Sequence, residues 1–167
     1  MRKKYLFIIG LFGIICALTS CEKDESKVIL NDPTPPTIVS LPDLTLLKEN
    51  ELDTLVFIGT PLDAGVQLST IYFLEACEAG NNFVDVIRLS SGGSATVRLT
   101  VKFLNDLFLK SFPFGEPISV DFRLRAQLIV DAGAGAPGSR ANPIAYSSEI
   151  INAEVTLYEV LEDDGSR

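Results

Sequence analysis

Ile118-Ser119-Val120-Asp121-Phe122-Arg123-Leu124-Arg125-Ala126-Gln127-Leu128-Ile129-Val130 is the stretch that decides the fold. Ile118, Val120, Phe122, Leu124, Ala126, Leu128 and Val130 alternate with Ser119, Asp121, Arg123, Arg125, Gln127 and Ile129, which puts seven apolar side chains on one side. A period of two belongs to extended backbone, and a strand with one apolar face needs a second layer to cover it.

The same period continues upstream. It sets Val97, Leu99 and Val101 against Arg98 and Thr100, and Tyr72, Leu74 and Ala76 against Phe73, Glu75 and Cys77. Further strands are expected near Ser40 to Leu47, Asp53 to Ile58, Phe83 to Leu89 and Glu149 to Glu159, with Pro42 marking the first as an edge. One segment departs from the pattern. Lys102 to Lys110, KFLNDLFLK, spaces Leu104, Leu107 and Phe108 by three and four, as on a short helix that crosses between sheets. Strands every ten to fifteen residues with Gly and Pro turns between them predict an all-β, two-sheet antiparallel sandwich of about seven strands, not a parallel α/β fold. Residues 38–160 form a single domain, long enough for one core without disulfide staples.

The amino terminus has a different composition. Arg2, Lys3 and Lys4 precede an apolar run from Tyr5 to Leu18, the length of a signal-peptide core and too short for a bilayer span. Leu18-Thr19-Ser20-Cys21 closes that run as a lipobox, so residues 1–20 read as a lipoprotein signal peptide and Cys21 as the acylated first residue of the mature chain. The covalent lipid on Cys21 is the only prosthetic group expected; no cofactor and no metal are. Several long acyl chains at about 0.8 kcal/mol per buried CH₂ anchor a protein firmly. Residues 21–37 then read as an acidic and proline-rich tether, and residues 161–167, with Glu162, Asp163 and Asp164, as an acidic tail. Glu22-Lys23-Asp24-Glu25 resembles the acidic signal that sends some lipoproteins to the outer face of the outer membrane.

Charge and residue types exclude much else. The full chain carries −8, and loss of three basic and no acidic residues with the leader takes it to −11, a surface that repels nucleic acid and anionic head groups. There is no histidine, hence no imidazole base for a hydrolytic triad and no imidazole metal ligand, and no enzyme is expected. Of three cysteines, Cys16 leaves with the leader and Cys21 is acylated. Cys77 remains, either packed as a small hydrophobe or paired between chains.

An ordered set of motifs resembles the amino-terminal immunoglobulin-like domain of the SusE and SusF lipoproteins of starch-utilisation systems. Tyr72-Phe73-Leu74-Glu75 and Gly80-Asn81-Asn82-Phe83 are similar to that family's Tyr-containing strand and following turn, and Val101 to Leu107 to its short helix. Phe122-Arg123-Leu124-Arg125-Ala126 resembles a later strand, and Asn142-Pro143-Ile144 with Ser147-Ser148 the start of the last one. Where the family often has Phe-x-Trp-Thr, this chain reads Phe57-Ile58-Gly59-Thr60, so its core is expected to be filled differently there. The resemblance implies an outer-membrane, surface-exposed accessory spacer or binding module of a glycan-uptake system, with SusC/SusD-like importer components or a polysaccharide as partners. The alternatives are direct glycan binding and an adhesive or fimbria-like structural subunit.

Candidate contacts follow from residue type. Sugar platforms use aromatic faces with amide and guanidinium partners, so Phe73, read as lying near Asn81 and Asn82, is either the start of such a patch or a hydrophobic contact under a loop. Phe114, in Phe112-Pro113-Phe114-Gly115-Glu116-Pro117, either meets a partner or caps the sandwich together with Phe112. Asn81, Asn82 and Asp85 offer oxygens either to calcium or to an ordinary turn. Arg123 and Arg125 either grip a carboxylated sugar or pair with acids across the sheet. Asp131 to Pro143 reads as a loop.

Overall fold

The expected strand is present as the longest among the described residues, spanning Ile118–Leu128, with buried residues alternating along it from Val120 to Leu128. The computed structural model describes residues 32–129, 139 and 143–160. In chain order these hold β1 (Thr37–Ser40), a 3₁₀ turn at Lys48–Asn50, β2 (Thr54–Thr60), β3 (Thr70–Glu78), β4 (Ile87–Gly92), β5 (Val97–Thr100), helix α1 (Val101–Phe108), β6 (Ile118–Leu128), β7 (Ala145–Ser147) and β8 (Ile151–Val155).

One flank of β6 pairs with β3 in continuous antiparallel register, from Thr70↔Leu128 to Glu78↔Val120. Its other flank takes two short strands, β7 opposite Arg125 to Gln127 and β8 opposite Ile118 to Phe122. Ser148 bridges the gap between them. Its N–H donates to the Leu124 carbonyl at 2.8 Å, and its Oγ accepts from the Leu124 N–H at 2.9 Å, so the break leaves no backbone group of Leu124 unpaired. Counted as one interrupted strand, β7 and β8 bring the total to the seven expected. The sheets are β4-β3-β6-β7/β8 and β1-β2-β5, all antiparallel, which is the strand order of an immunoglobulin-like sandwich of the fibronectin type III kind.

The core lies between the sheets. Phe57 of β2, Phe122 of β6 and Phe108 of α1 meet at its centre, with ring centroids 6.1 and 6.4 Å from Phe122, and Phe112 stands edge-on to Phe108 at 5.6 Å. A smaller cluster of Tyr72, Ala95, Leu124 and Ala126 explains the departure at Gly59. A Cβ there would meet the Ala95 carbonyl oxygen at 2.6 Å, Leu124 Cδ2 at 2.8 Å and the Thr37 carbonyl oxygen at 2.9 Å. Leu124 and two backbone carbonyls therefore occupy the place beside Gly59. Gly59→Ala is expected to cost about 1–3 kcal/mol in urea unfolding, because two of the three obstructing atoms are backbone and cannot turn aside.

α1 joins β5 in one sheet to β6 in the other, as its spacing predicted. Thr100 caps it, accepting from Phe103 N–H at 3.2 Å, and the Val101 and Lys102 N–H groups donate to the carbonyls of Asp53 and Glu51. Fully buried Asn105 reaches the carboxyl-terminal segment. Its Oδ1 accepts from Tyr158 N–H at 3.0 Å and its Nδ2 donates to the Tyr158 carbonyl at 3.1 Å.

Three sequence expectations are corrected. The strand expected at Phe83–Leu89 begins only at Ile87, because Asn82 and Phe83 have φ of 54° and 58°, which no strand permits. The strand expected at Ser40–Leu47 is instead β1 at Thr37–Ser40, an edge as Pro42 implied, followed by a single parallel bridge from Thr45 to Thr156. The fold also takes up the chain before residue 38. Thr34, the non-proline position in Pro33-Thr34-Pro35-Pro36, keeps its N–H and exchanges backbone hydrogen bonds with Asp63 at 2.8 and 3.1 Å. The signal peptide, Cys21, most of the 131–143 loop and the acidic tail lie outside the described residues.

Candidate functional site

The outer flank of the β4-β3-β6 sheet concentrates charge and aromatic rings. Alternation aims Phe73, Glu75 and Cys77 of β3 away from the core, yet Glu75 and Cys77 are as buried as their inward neighbours. This second burial has a local cause. The loop after β3 turns back through left-handed Gly80, Asn82 and Phe83, and the buried Phe83 ring lies 4.0 Å from the Arg123 guanidinium carbon.

Register makes Glu75 the hub, since it stands opposite Arg123 on β6 and Arg88 on β4. Arg123 Nε and Nη2 reach Glu75 Oε2 at 2.9 and 2.8 Å. Arg88 Nη2 lies 3.6 Å from Oε1, beyond hydrogen-bond range. Arg125, one inward-outward step further along β6, stands opposite Phe73 and, among the described residues, donates only to Gln127 Oε1, at 3.4 Å. Among the described residues it has no acidic partner. The Phe73 ring carries both cations, with the guanidinium carbons of Arg88 and Arg125 at 4.5 and 5.6 Å from its centroid.

Of the residues singled out in the sequence, the structure brings Phe73 to Arg125 and Asn81 to Asp85, but not Phe73 to the Asn81–Asn82 pair. Phe73 stands near the middle of β3 and the Asn81–Asn82 loop beyond its end, with five residues of strand, about 16 Å, from Phe73 to Glu78. Nor is Phe73 a bare sugar platform, since guanidinium groups hold its ring. Asn81 spends its amide inside the loop, with Oδ1 accepting from the N–H groups of Val84 and Asp85 and Nδ2 donating to Asp85 Oδ2 at 3.2 Å. Asn82 reaches only the Gly80 carbonyl, at 3.4 Å. Phe112 packs on Phe108, whereas Phe114 stands half exposed in a turn pinned by Gly115 N–H donating to the Leu157 carbonyl. Arg123 pairs across the sheet and Arg125 does not. Sequence reasoning missed Arg88, Glu75 and Phe83; an outward Glu opposite an Arg is the available signal, but the strand expected at Phe83–Leu89 starts four residues before β4 does.

Two ionisable groups near the flank have altered titration. Burial pushes the Cys77 thiol up, partly offset by the Phe83 N–H, which makes it an unreactive thiol with no route to a partner chain unless the loop opens. The Asp121 carboxyl is held below its usual value by Asn152 Nδ2 at 2.8 Å and by the Gly80 N–H at 3.0 Å. A lowered folded-state pKa contributes stability that is present above the unfolded value, near 3.9, and lost as pH falls through the folded one. Asp121→Asn is therefore expected to lower the neutral plateau of a stability-versus-pH curve and to converge on wild type in acid, which flattens the acid limb below about pH 4.

A family model described as SusE outer membrane protein matches residues 23–125, well over half of the chain. The chain belongs to the SusE family. Comparison with curated proteins found no match, and comparison with solved structures found none. SusE membership makes this an outer-membrane protein of polysaccharide utilisation, in a family of accessory and binding proteins. The SusE match takes in β1 to β5, α1 and β6 as far as Arg125, so the whole Arg–Phe–Glu flank falls inside it.

Proposed function

We propose that this SusE-family protein is a lipid-anchored, non-enzymatic accessory module that stands on the cell-surface side of the outer membrane beside a SusC/SusD-like importer. The observation that carries this reading is where the chain comes in and leaves. Thr34 bridges Asp63 beside the β2–β3 loop, at the end where β6 finishes at Leu128. Residues 156–158 lie at the other end, beyond Ile118, tied to Leu44, Leu46, Asn105 and Gly115. Between the two runs the length of β6, 11 residues or about 37 Å. A chain that passes from end to end of a sandwich makes it a strut. Acylated Cys21 and the segment before Thr34 add a leash of roughly 40 Å if extended. Confinement of this kind raises effective concentration without high intrinsic affinity.

Two of the four sheet edges, β1 and β4, are shaped against strand addition, which counts against a surface fibre built on them. β1 is short and bulged between Ile38 and Ser40, and β4 is bulged opposite Leu74 and Glu75, which spoils both as templates for an added strand.

Metabolic labelling with palmitate tests the reading. The wild-type protein is expected to carry label, to fractionate with the outer membrane and to be shaved by protease from intact cells, whereas Cys21→Ser is expected to lose label and anchorage. An unlabelled wild-type protein, or one protected from protease, overturns it.

A further inference from the structure

We propose that the outer flank of β4, β3 and β6 is a binding site for a carboxylated glycan, recognised by the guanidinium groups of Arg88 and Arg125. The inference deepens the polysaccharide role by naming a ligand class, and rests on that role only for the choice of a glycan.

The argument begins with charge. Arg88, Arg123 and Arg125 share this face with Glu75 and with Asp121, one outward step beyond Arg123 on β6, a local charge of +1 on a chain whose total is −8. Glu75 is committed to Arg123, whose Nε and Nη2 both use Oε2. Arg88 and Arg125 share what is left, a 3.6 Å approach to Oε1 and a 3.4 Å bond to Gln127. Two forks of donors thus stand with almost no acceptors among the described residues.

The second observation is how those forks are held. Both guanidinium carbons lie over one ring, at 4.5 and 5.6 Å, so they are within about 10 Å of each other. Cation–π contact occupies the face of a guanidinium and leaves its in-plane N–H donors free, and it fixes the side chains before a ligand arrives. Like charges held this close repel unless an anion joins them. A carboxylate matches the planar fork better than a neutral hydroxyl does, which selects uronic-acid-type units over neutral glucan. The Arg88 side chain is 55% exposed, so the site is reachable from solvent.

The test uses the exported chain carrying Cys21→Ser to keep it soluble, in native gels containing polygalacturonate, amylose or polyglutamate. Because the protein is acidic overall, a polyanion repels most of its surface, and retention requires a local site. Retardation is expected in polygalacturonate, not in amylose, and is expected to fade between 50 and 500 mM NaCl. Arg125→Gln is expected to weaken it at least tenfold. Arg98→Gln makes the same change in net charge on the other sheet, at an exposed position opposite Val56, and is expected to leave it unchanged. Equal effects of the two variants, retention by amylose, or equal retention by polyglutamate overturns the assignment, the last pointing to an acidic protein instead. Melting curves recorded for each variant separate lost binding from lost folding. Failure of palmitate labelling removes the anchored strut and leaves this result untouched.

Discussion

Asn105→Ala is expected to lower stability by about 3–5 kcal/mol and the melting temperature by roughly 10–15 °C, among the largest effects of any single change in this chain. Tyr158 has left β8, so no neighbouring strand supplies its backbone partners, and one buried side-chain amide supplies both, at 3.0 and 3.1 Å. Alanine leaves a donor and an acceptor without their side-chain partners in a part-buried site, each costing about 1–3 kcal/mol, and opens a small void where buried Asn105 stood. Asn105→Asp sharpens the test. The carboxylate still accepts from Tyr158 N–H but faces the Tyr158 carbonyl with a second acceptor, so burial and repulsion raise its pKa. Raised acids destabilise as pH climbs through the folded value. The gap between wild type and Asn105→Asp should therefore be narrow near pH 4, where the protonated acid donates, and wide at pH 8. A gap that does not change with pH means Asn105 acts by packing alone.

That residue also shows what the sequence can and cannot reveal. The helix around it was legible, because Leu104 and Phe108 follow a helical period and both are fully buried. The role of Asn105 was not, since nothing at position 105 points 53 residues ahead to Tyr158. Period-two alternation located β6, the inward set of β3 and the two-layer architecture, because burial of one face is a property of each strand taken alone. It failed at Phe83, where the hydrophobic character is genuine but serves the outer flank, and the backbone sign that places it there is invisible in composition. The flank itself depends on register between three strands. Arg123 and Arg125 looked alike in sequence, and only the pairing of Glu75 with Arg123 and of Phe73 with Arg125 separates a structural guanidinium from an unpaired one.

Glu75→Ala is the second large effect, expected to cost about 2–4 kcal/mol in denaturant unfolding and to leave the protein unstable above physiological temperature. Removal of one member of a buried pair typically costs about 3–5 kcal/mol, reduced here because the Arg123 side chain is 24% exposed and recovers some hydration. The loss exceeds the one contact. Glu75 is the only acid within bonding reach of these arginines among the described residues, so three guanidinium groups would then repel one another, and Phe83, held at an unfavourable φ above Arg123, would lose its support. Glu75→Gln keeps the shape and removes the charge. If it is nearly as damaging as alanine, electrostatics dominates; if it is nearly neutral, packing does. The double variant Glu75→Leu with Arg123→Leu is expected to recover most of the loss, since an apolar pair satisfies the same space with no stranded charge. Added polygalacturonate should stabilise Glu75→Gln more than wild type, because the variant flank carries +2 in place of +1 and binds the anion more tightly. Equal stabilisation of the two proteins would mean that Glu75 and the exposed arginines do not share one field.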